Sequence, residues 1–274
     1  MTNKIIRVSA GYYQHFDADY SRAVPAEGYG GWKKAEIELD PAHTAVVVMH
    51  AWNTGSRDQY PGWHRAVEYL PRANEILRTV FPRLLDAVRR SGLHLYHVVS
   101  RGKYYQQYPG FQRASRLAGP ESNQEHIATD PSLESLRRFR AERVFAGRHN
   151  EPDIQAGFRR LDFPPEAKPE GNEGIAENAA QLFALGQADG INHLIYAGFA
   201  INWCLLMSPG GMLDMSRRGF MCSAFRQAVT AVENRESART GAHKEEALWR
   251  VALAFGFVFE VDDFIGAIRP LQAG

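Results

Sequence analysis

The run GINHLIYAGFAINWCLL, residues 190–206, decides how this chain folds. Its first half, INHLIYAG, is apolar and β-rich and reads as a strand. Its second half, continuing as NWCLLM, reads as the opening of a helix, with Gly198 at the junction. That handover places Cys204 in the first turn of the helix. There its sulfur would meet unpaired backbone N–H groups and the positive end of the helix dipole. Both favour thiolate, the nucleophilic form, and the same amides are able to receive an oxyanion. The plainer alternative is a cysteine that fills space as a small apolar side chain. Cys222, inside GFMCSA, has only that second role.

Working outward, TAVVVMH (44–50) is a continuous β-rich run, as expected of a strand buried on both faces. A Gly-, Pro- and Asn-rich loop follows, AWNTGSRDQYPGW. Ile76, Leu77, Val80, Phe81, Leu84, Leu85 and Val88 then recur at helical spacing, with a break expected near Phe81 because Pro82 removes a donor. Ser91-Gly92 closes that helix, and LHLYHVVS is a second strand. Ile175, Ala179, Leu182 and Phe183 mark another helix face. RRGFMCSA is a weaker strand. Ala247, Leu248, Val251, Ala252 and Phe255 mark a further helix face. GFVFEV is the last strand, with Asp262-Asp263 expected to cap a terminal helix. Strand and helix alternate, which predicts an α/β fold: a three-layer α-β-α arrangement around a doubly wound, mostly parallel sheet.

Two regions resist this pattern. Residues 1–36 interleave aromatics with Gly, Pro and charges and read as an irregular arm, either packed on the surface or serving as a lid or subunit-swapped arm. Residues 101–170 are polar and Pro/Gly-rich; they hold a helix candidate, SLESLRRFRAE, and a short apolar run, RVFAG, but no full third strand. A region this long is a functional loop or an insertion. The expected organisation is therefore an arm over 1–36 and one domain over 37–274, with an insertion at about 101–170.

Composition narrows the function classes. Over 274 residues, 45% are hydrophobic and 23% charged, an ordinary globular balance able to bury a full core. A net charge of +1 gives no overall field for nucleic acid or anionic membrane, and no apolar run reaches transmembrane length. The first residues, MTNKIIRVSAGYYQHFD, lack the apolar stretch of a signal peptide. Two cysteines make no disulfide framework, so a cytoplasmic location is expected. His50, Asp58, His64, His94 and His97 form only a loose set without tight ligand spacing, so neither a metal nor a cofactor is predicted.

The order of motifs resembles the isochorismatase-like superfamily of cysteine hydrolases, which includes nicotinamidases and carbamoyl amidohydrolases. Three segments carry the likeness, which runs from about Thr44 to Ile268. TAVVVMHAWN looks like the family's first strand, ending in Asp-x-Gln-Asn. GINHLIYAGFAINWCLL looks like its nucleophile segment, Gly-x-x-Thr-x-x-Cys. GAHKEEALWRVALAFGFVFEVDDFIGAI is similar to its closing helix, strand and helix.

The resemblance implies an Asp, Lys and Cys triad and a cis peptide before the cysteine turn. Here the Cys falls on Cys204 and the cis bond between Phe199 and Ala200. His50 stands where the Asp would be, and Trp52 and Asn53 replace the Gln and Asn. Lys168 is the nearest match for the lysine, with Arg148 a weaker stand-in. Ser208 to Gly211 also interrupts a helix that the family runs straight on.

His50 ends the first strand, at the edge of a parallel sheet where ligands bind. It serves either as a base for Cys204 or as a ring filling the crevice. Lys168 is either a site donor or a solvated loop residue. Arg148 and His149 either bind a substrate carboxylate or form a surface pair. Trp52 and Trp203 either wall a small planar substrate or pack between layers. Two functions follow: a cysteine hydrolase cleaving a C–N bond of a small amide or ureide through a thioester, or a non-catalytic relative that binds a small ligand or a partner. The resemblance further implies a homo-oligomer.

Overall fold

A computed structural model of the chain describes residues 5–120 and 127–272. The first four residues of the arm and 121–126 of the insertion lie outside the described residues. Eight strands form one sheet: β1 (Ile6–Gln14), β2 (Gly31–Leu39), β3 (Thr44–Met49), β4 (His94–Val98), β5 (Gly174–Ala176), β6 (His193–Phe199), β7 (Met221–Thr230) and β8 (Val258–Phe259), in the order β2-β1-β8-β7-β6-β3-β4-β5. Strands β3 to β8 run parallel to one another, whereas β1 runs antiparallel to both β8 and β2. The expected three-layer α/β architecture is therefore the observed one.

Helices α1 (Pro61–Ala66), α2 (Leu70–Thr79), α3 (Phe81–Ser91), α4 (Pro109–Ala118), α5 (Pro131–Arg143), α6 (Glu151–Phe158), α7 (Ala179–Ala188), α8 (Met212–Arg217), α9 (Ala242–Ala254) and α10 (Val261–Ile268) connect and cover the strands. All six residues of β3 are buried, and their alternation feeds two cores. Val46 and Val48 pack with α2, α3 and α10, while Ala45, Val47 and Met49 pack with α7, α8 and α9. A strand covered on both faces has no polar side to show, hence the unbroken apolar run. Among the described residues, no helix is long and apolar enough to cross a membrane.

The break at Pro82 is present: α2 ends at Thr79, α3 begins at Phe81, and Val80 joins them. Gly92 closes α3 in the left-handed conformation, at φ 76°. Other expectations are corrected. Residues 6–14 and 31–39, read as irregular, form a hairpin that extends the sheet. Ile6, Val8 and Ala10 do alternate inward, but Gly11 and the two tyrosines end the pattern too soon for it to show. Ile175 lies in β5 rather than on a helix, and α7 starts only after Asn178, whose side chain accepts from the Gln181 N–H at 2.9 Å. The missing third strand is this three-residue β5. The insertion is not structureless, since α4, α5 and α6 lie within it, and RVFAG is a turn with a cis Phe145–Ala146 bond. Asp262 and Asp263 sit in the first turn of α10, but the capping position is Glu260, with no side-chain cap bond.

The tightest approach in the sheet is at Gly198. Its φ of 129° lies beside a register shift between Tyr196 and Gly198, and a Cβ there would meet the Met49 carbonyl oxygen at 1.9 Å. Only glycine meets both demands. Gly198→Ala is expected to cost about 3 kcal/mol or more, or to prevent folding. Urea unfolding of the variant checks this, and a loss below 1 kcal/mol would contradict it.

Candidate active site

Parallel strands β3 and β6 end side by side, Met49 opposite Gly198. The residues that follow them, His50 and Phe199 to Cys204, therefore share the carboxyl edge of the sheet, where doubly wound folds bind ligands. The Phe199–Ala200 bond is cis, as the resemblance implied. Phe199 and Ala200 are buried, and Phe199 stacks on Phe81 at 5.8 Å. Both serve the core rather than an open pocket wall.

The cysteine turn is a π-turn rather than a regular helix start. Ile201–Leu205 closes through the Leu205 N–H to the Ala200 carbonyl at 3.2 Å. Cys204 is partly exposed, and its carbonyl accepts from the Ser208 N–H at 3.0 Å. Ser208 to Gly211 then folds the chain back against this turn. A Cβ on Gly211 would meet the Cys204 carbonyl oxygen at 2.8 Å, and the Tyr196 hydroxyl donates to the Gly210 carbonyl at 2.9 Å. The interruption noted in the sequence thus holds the cysteine turn. Trp203, beside the thiol in sequence, is 59% exposed and packs between no layers.

His50 is buried at a φ of 52°. Its backbone N–H donates to the Val98 carbonyl at 2.9 Å, tying the end of β3 to β4. The imidazole stacks on Trp52, with centroids 4.8 Å apart and planes 20° apart. Burial pushes its pKa down to about 4, with the Arg101 guanidinium adding to the shift. Nδ1 is buried without a hydrogen-bond partner. Among the described residues, no hydrogen bond joins His50 to Cys204. The ring is therefore a neutral one held against an indole, not one half of a preformed thiol–imidazole pair.

Trp52 in turn meets Phe158 of α6 edge-on at 6.5 Å, and Arg101 lies 4.3 Å above the Phe158 ring. The Trp52 indole N–H is near the Tyr104 hydroxyl, but neither is hydrogen-bonded. Gly157 makes room for this packing, since a Cβ there would meet Trp63 at 2.2 Å. Of the inserted helices, α6 thus packs against the aromatic side of the crevice.

The other expected residues are dispersed. Asn53 is exposed, and its side chain accepts from the Gly55 N–H at 3.2 Å within its own turn. Arg148 and His149 are exposed on the turn before α6. Lys168 is exposed, and its carbonyl accepts from Arg89 at 2.9 Å in the last turn of α3. That end of α3 leads into the beginning of β4, so the structure does not bring Lys168 to the thiol. The chain between α6 and β5 does pass the carboxyl edge, where the Asp162 carbonyl accepts from the Asn53 N–H at 2.9 Å, but by Lys168 it has reached the last turn of α3.

One residue that the sequence did not single out feels the charge of Cys204. Tyr69, just before α2, has its pKa raised by burial and then by Cys204 and Glu68. Glu68 binds Arg72 through two bonds of 2.8 and 2.9 Å, and accepts the Glu233 N–H at 2.9 Å. Arg72 also donates to Thr230 Oγ1 and the Ala231 carbonyl, each at 3.1 Å. Asn202 clasps Val232 through both backbone groups, at 2.8 and 2.9 Å. Glu233 accepts the His243 and Lys244 N–H groups of α9. These contacts pin the segment after β7 beside the cysteine turn. The sequence carried one signal for them: Glu68 and Arg72 stand four apart, with Pro71 marking a helix start between them.

The sign of the His50 shift fixes a pH dependence. Its folded pKa, about 4, lies below the ordinary 6.5. Between those values the unfolded chain takes up a proton that the folded chain does not, so stability falls as pH drops from 6.5 to 4. His50→Asn suits the left-handed backbone and removes this proton. The variant should lose about 3 kcal/mol less than wild type over that range in urea unfolding. His193, also pushed down to about 4 by burial, contributes equally to both proteins. Parallel pH profiles would show that His50 is not held neutral.

No family model matches the chain, and no curated protein does. Solved structures do. A protein assigned as an isochorismatase from Burkholderia xenovorans LB400 is 17% identical, with a TM-score of 0.50 over 84% of this chain and 88% of that one. A cysteine hydrolase from Pseudomonas syringae pv. phaseolicola 1448A is 15% identical, with a TM-score of 0.49 over 85% of this chain and 95% of that one. An isochorismatase-like hydrolase from Alkaliphilus metalliredigens is 16% identical, with a TM-score of 0.48 over 84% and 98%. At such identities the likeness is one of fold alone: this chain shares its α/β fold with a protein assigned as an isochorismatase.

Proposed function

We propose that the chain is a hydrolase in which Cys204 attacks the carbonyl carbon of a small amide or ureide. The observation that carries this reading is the position of a partly exposed thiol in the turn after β6, at the carboxyl edge of a parallel sheet beside the end of β3. The pinned segment after β7 supports it, because a nucleophile needs neighbours that do not move as charge develops.

In this reaction the S–C bond forms as the thiol proton passes to His50, which starts as the neutral imidazole able to take it. The C–N bond then breaks, the amine leaves with that proton, and a thioester remains. Water hydrolyses the thioester, releasing the acid and restoring the thiol. His50 must swing away from Trp52 to take part, and catalytic contacts commonly tighten only with substrate bound.

A second reading is favoured by the His50–Trp52 stack itself: a non-catalytic protein that binds a small ligand in the crevice. Chemistry separates the two. Cys204→Ala should abolish hydrolysis of the best substrate in a panel of small amides and ureides, and rapid quenching with wild type should trap an acyl group on Cys204 alone. Cys222 is the internal control, since burial pushes its thiol up to about 12. Binding of panel compounds that survives Cys204→Ala, with no turnover by wild type, would select the second reading.

A further inference from the structure

The hairpin that the sequence concealed leaves β2 at the edge of the sheet. β2 pairs with β1 through nine consecutive residues, Gly31 to Leu39, with no bulge and no proline. Its outer edge is therefore a straight row of backbone donors and acceptors, the kind that pairs with another strand unless something prevents it. Most of its residues are exposed.

The charges on this edge are not scattered. Residues 32, 34, 36 and 38 share one face, and 33, 35, 37 and 39 the other. Ile37 and Leu39 pack into the core beneath α10, which fixes the second face inward. The outward face reads Trp32, Lys34, Glu36, Glu38: basic towards one end and acidic towards the other. Such a strand is complementary to its own reverse.

We infer that β2 pairs antiparallel with β2 of a second copy of this chain, about a two-fold axis through Ala35, joining two sheets into one. In this register Lys34 lies opposite Glu36 of the second copy, twice over, and Trp32 lies opposite Glu38. A slip by one residue would turn the core face of one copy outward. A slip by two in one direction places Lys34 opposite Lys34; in the other it pairs Lys34 with Glu38 twice but places Glu36 opposite Glu36. Like charges directly opposite are destabilising, and the register through Ala35 has none on this face. The charge order thus favours the register through Ala35.

Lys34 already reaches Glu260 at 3.7 Å and Asp263 at 3.9 Å, yet its side chain remains 58% exposed and within reach of an opposing strand. Glu36 has no ion pair with any described residue, so it is free for an intermolecular one. A single ladder buries less than the roughly 1,600 Å² of a standard interface, so the dimer is expected to form at micromolar concentrations.

The test uses the full chain in sedimentation equilibrium from about 1 to 200 μM, at low and high salt. Wild type should dimerise, more weakly at high salt. Lys34→Glu puts acid against acid, and Glu36→Lys puts base against base. Each variant alone should raise the dissociation constant about tenfold or more. An equimolar mixture of the two restores both opposite-charge pairs in the heterodimer and should associate as wild type does. A wild type that stays monomeric, single variants that dimerise normally, or a mixture that fails to rescue would each overturn the proposal. If Lys34→Glu fails to fold after losing its contacts to Glu260 and Asp263, Glu36→Lys alone decides: wild-type dimerisation in that variant refutes the interface.

Discussion

The carboxyl edge of this sheet is organised by one close approach, that of Gly198 to the Met49 carbonyl. A side chain there would push β6 away from β3. Without one, the two strands end together, and the residues that follow them are forced into the same small volume. The bulge at Tyr196–Gly198 and the π-turn after Ala200 both follow from a strand that must bend as it leaves the sheet. Gly210 and Gly211 complete the arrangement by letting the chain return against that turn. The position of the thiol is thus set by backbone packing before any side-chain chemistry enters.

Two sides of the crevice are built by different means. On the side of β7, Glu68, Arg72, Asn202 and Glu233 form charge-assisted and bidentate contacts to backbone, which resist displacement. On the side of β4, His50, Trp52, Tyr104 and Phe158 make ring contacts and leave several polar atoms without partners. Buried polar groups without partners carry a desolvation cost that a ligand is able to relieve. The first side suits holding a reacting group still, the second suits adapting to what is bound. Such a division fits an enzyme with a small, partly apolar substrate, and it fits a binder equally on the second side alone.

Much of the fold was legible because β3 and β6 are covered on both faces and so carry long apolar runs with turn residues at their ends. The positions of Cys204 and His50 at the carboxyl edge were legible for the same reason, since each follows such a run. What escaped was whatever depends on distance rather than on local pattern. The β1–β2 hairpin was hidden because the charges at Lys33, Lys34, Glu36 and Glu38 blur the alternation that identifies a strand. Lys168 escaped because spacing along an insertion does not say which of its residues stands at which end of the sheet: Asp162 lies beside Asn53, and Lys168 beside Arg89. The electrostatic influence of Cys204 on Tyr69 spans more than a hundred residues of sequence, and no window detects it.

The backbone at residue 50 also bears on how this site can change by descent. Its left-handed conformation is one that glycine, asparagine, aspartate and histidine tolerate and that branched or bulky residues do not. The codons for histidine and aspartate differ in their first base only. An imidazole and a carboxylate at this strand end are therefore neighbours in mutational space, joined without passing through any residue the backbone rejects. The conformation acts as a filter on variation, keeping the position within a short alphabet of small or proton-binding side chains whatever the chemistry being selected.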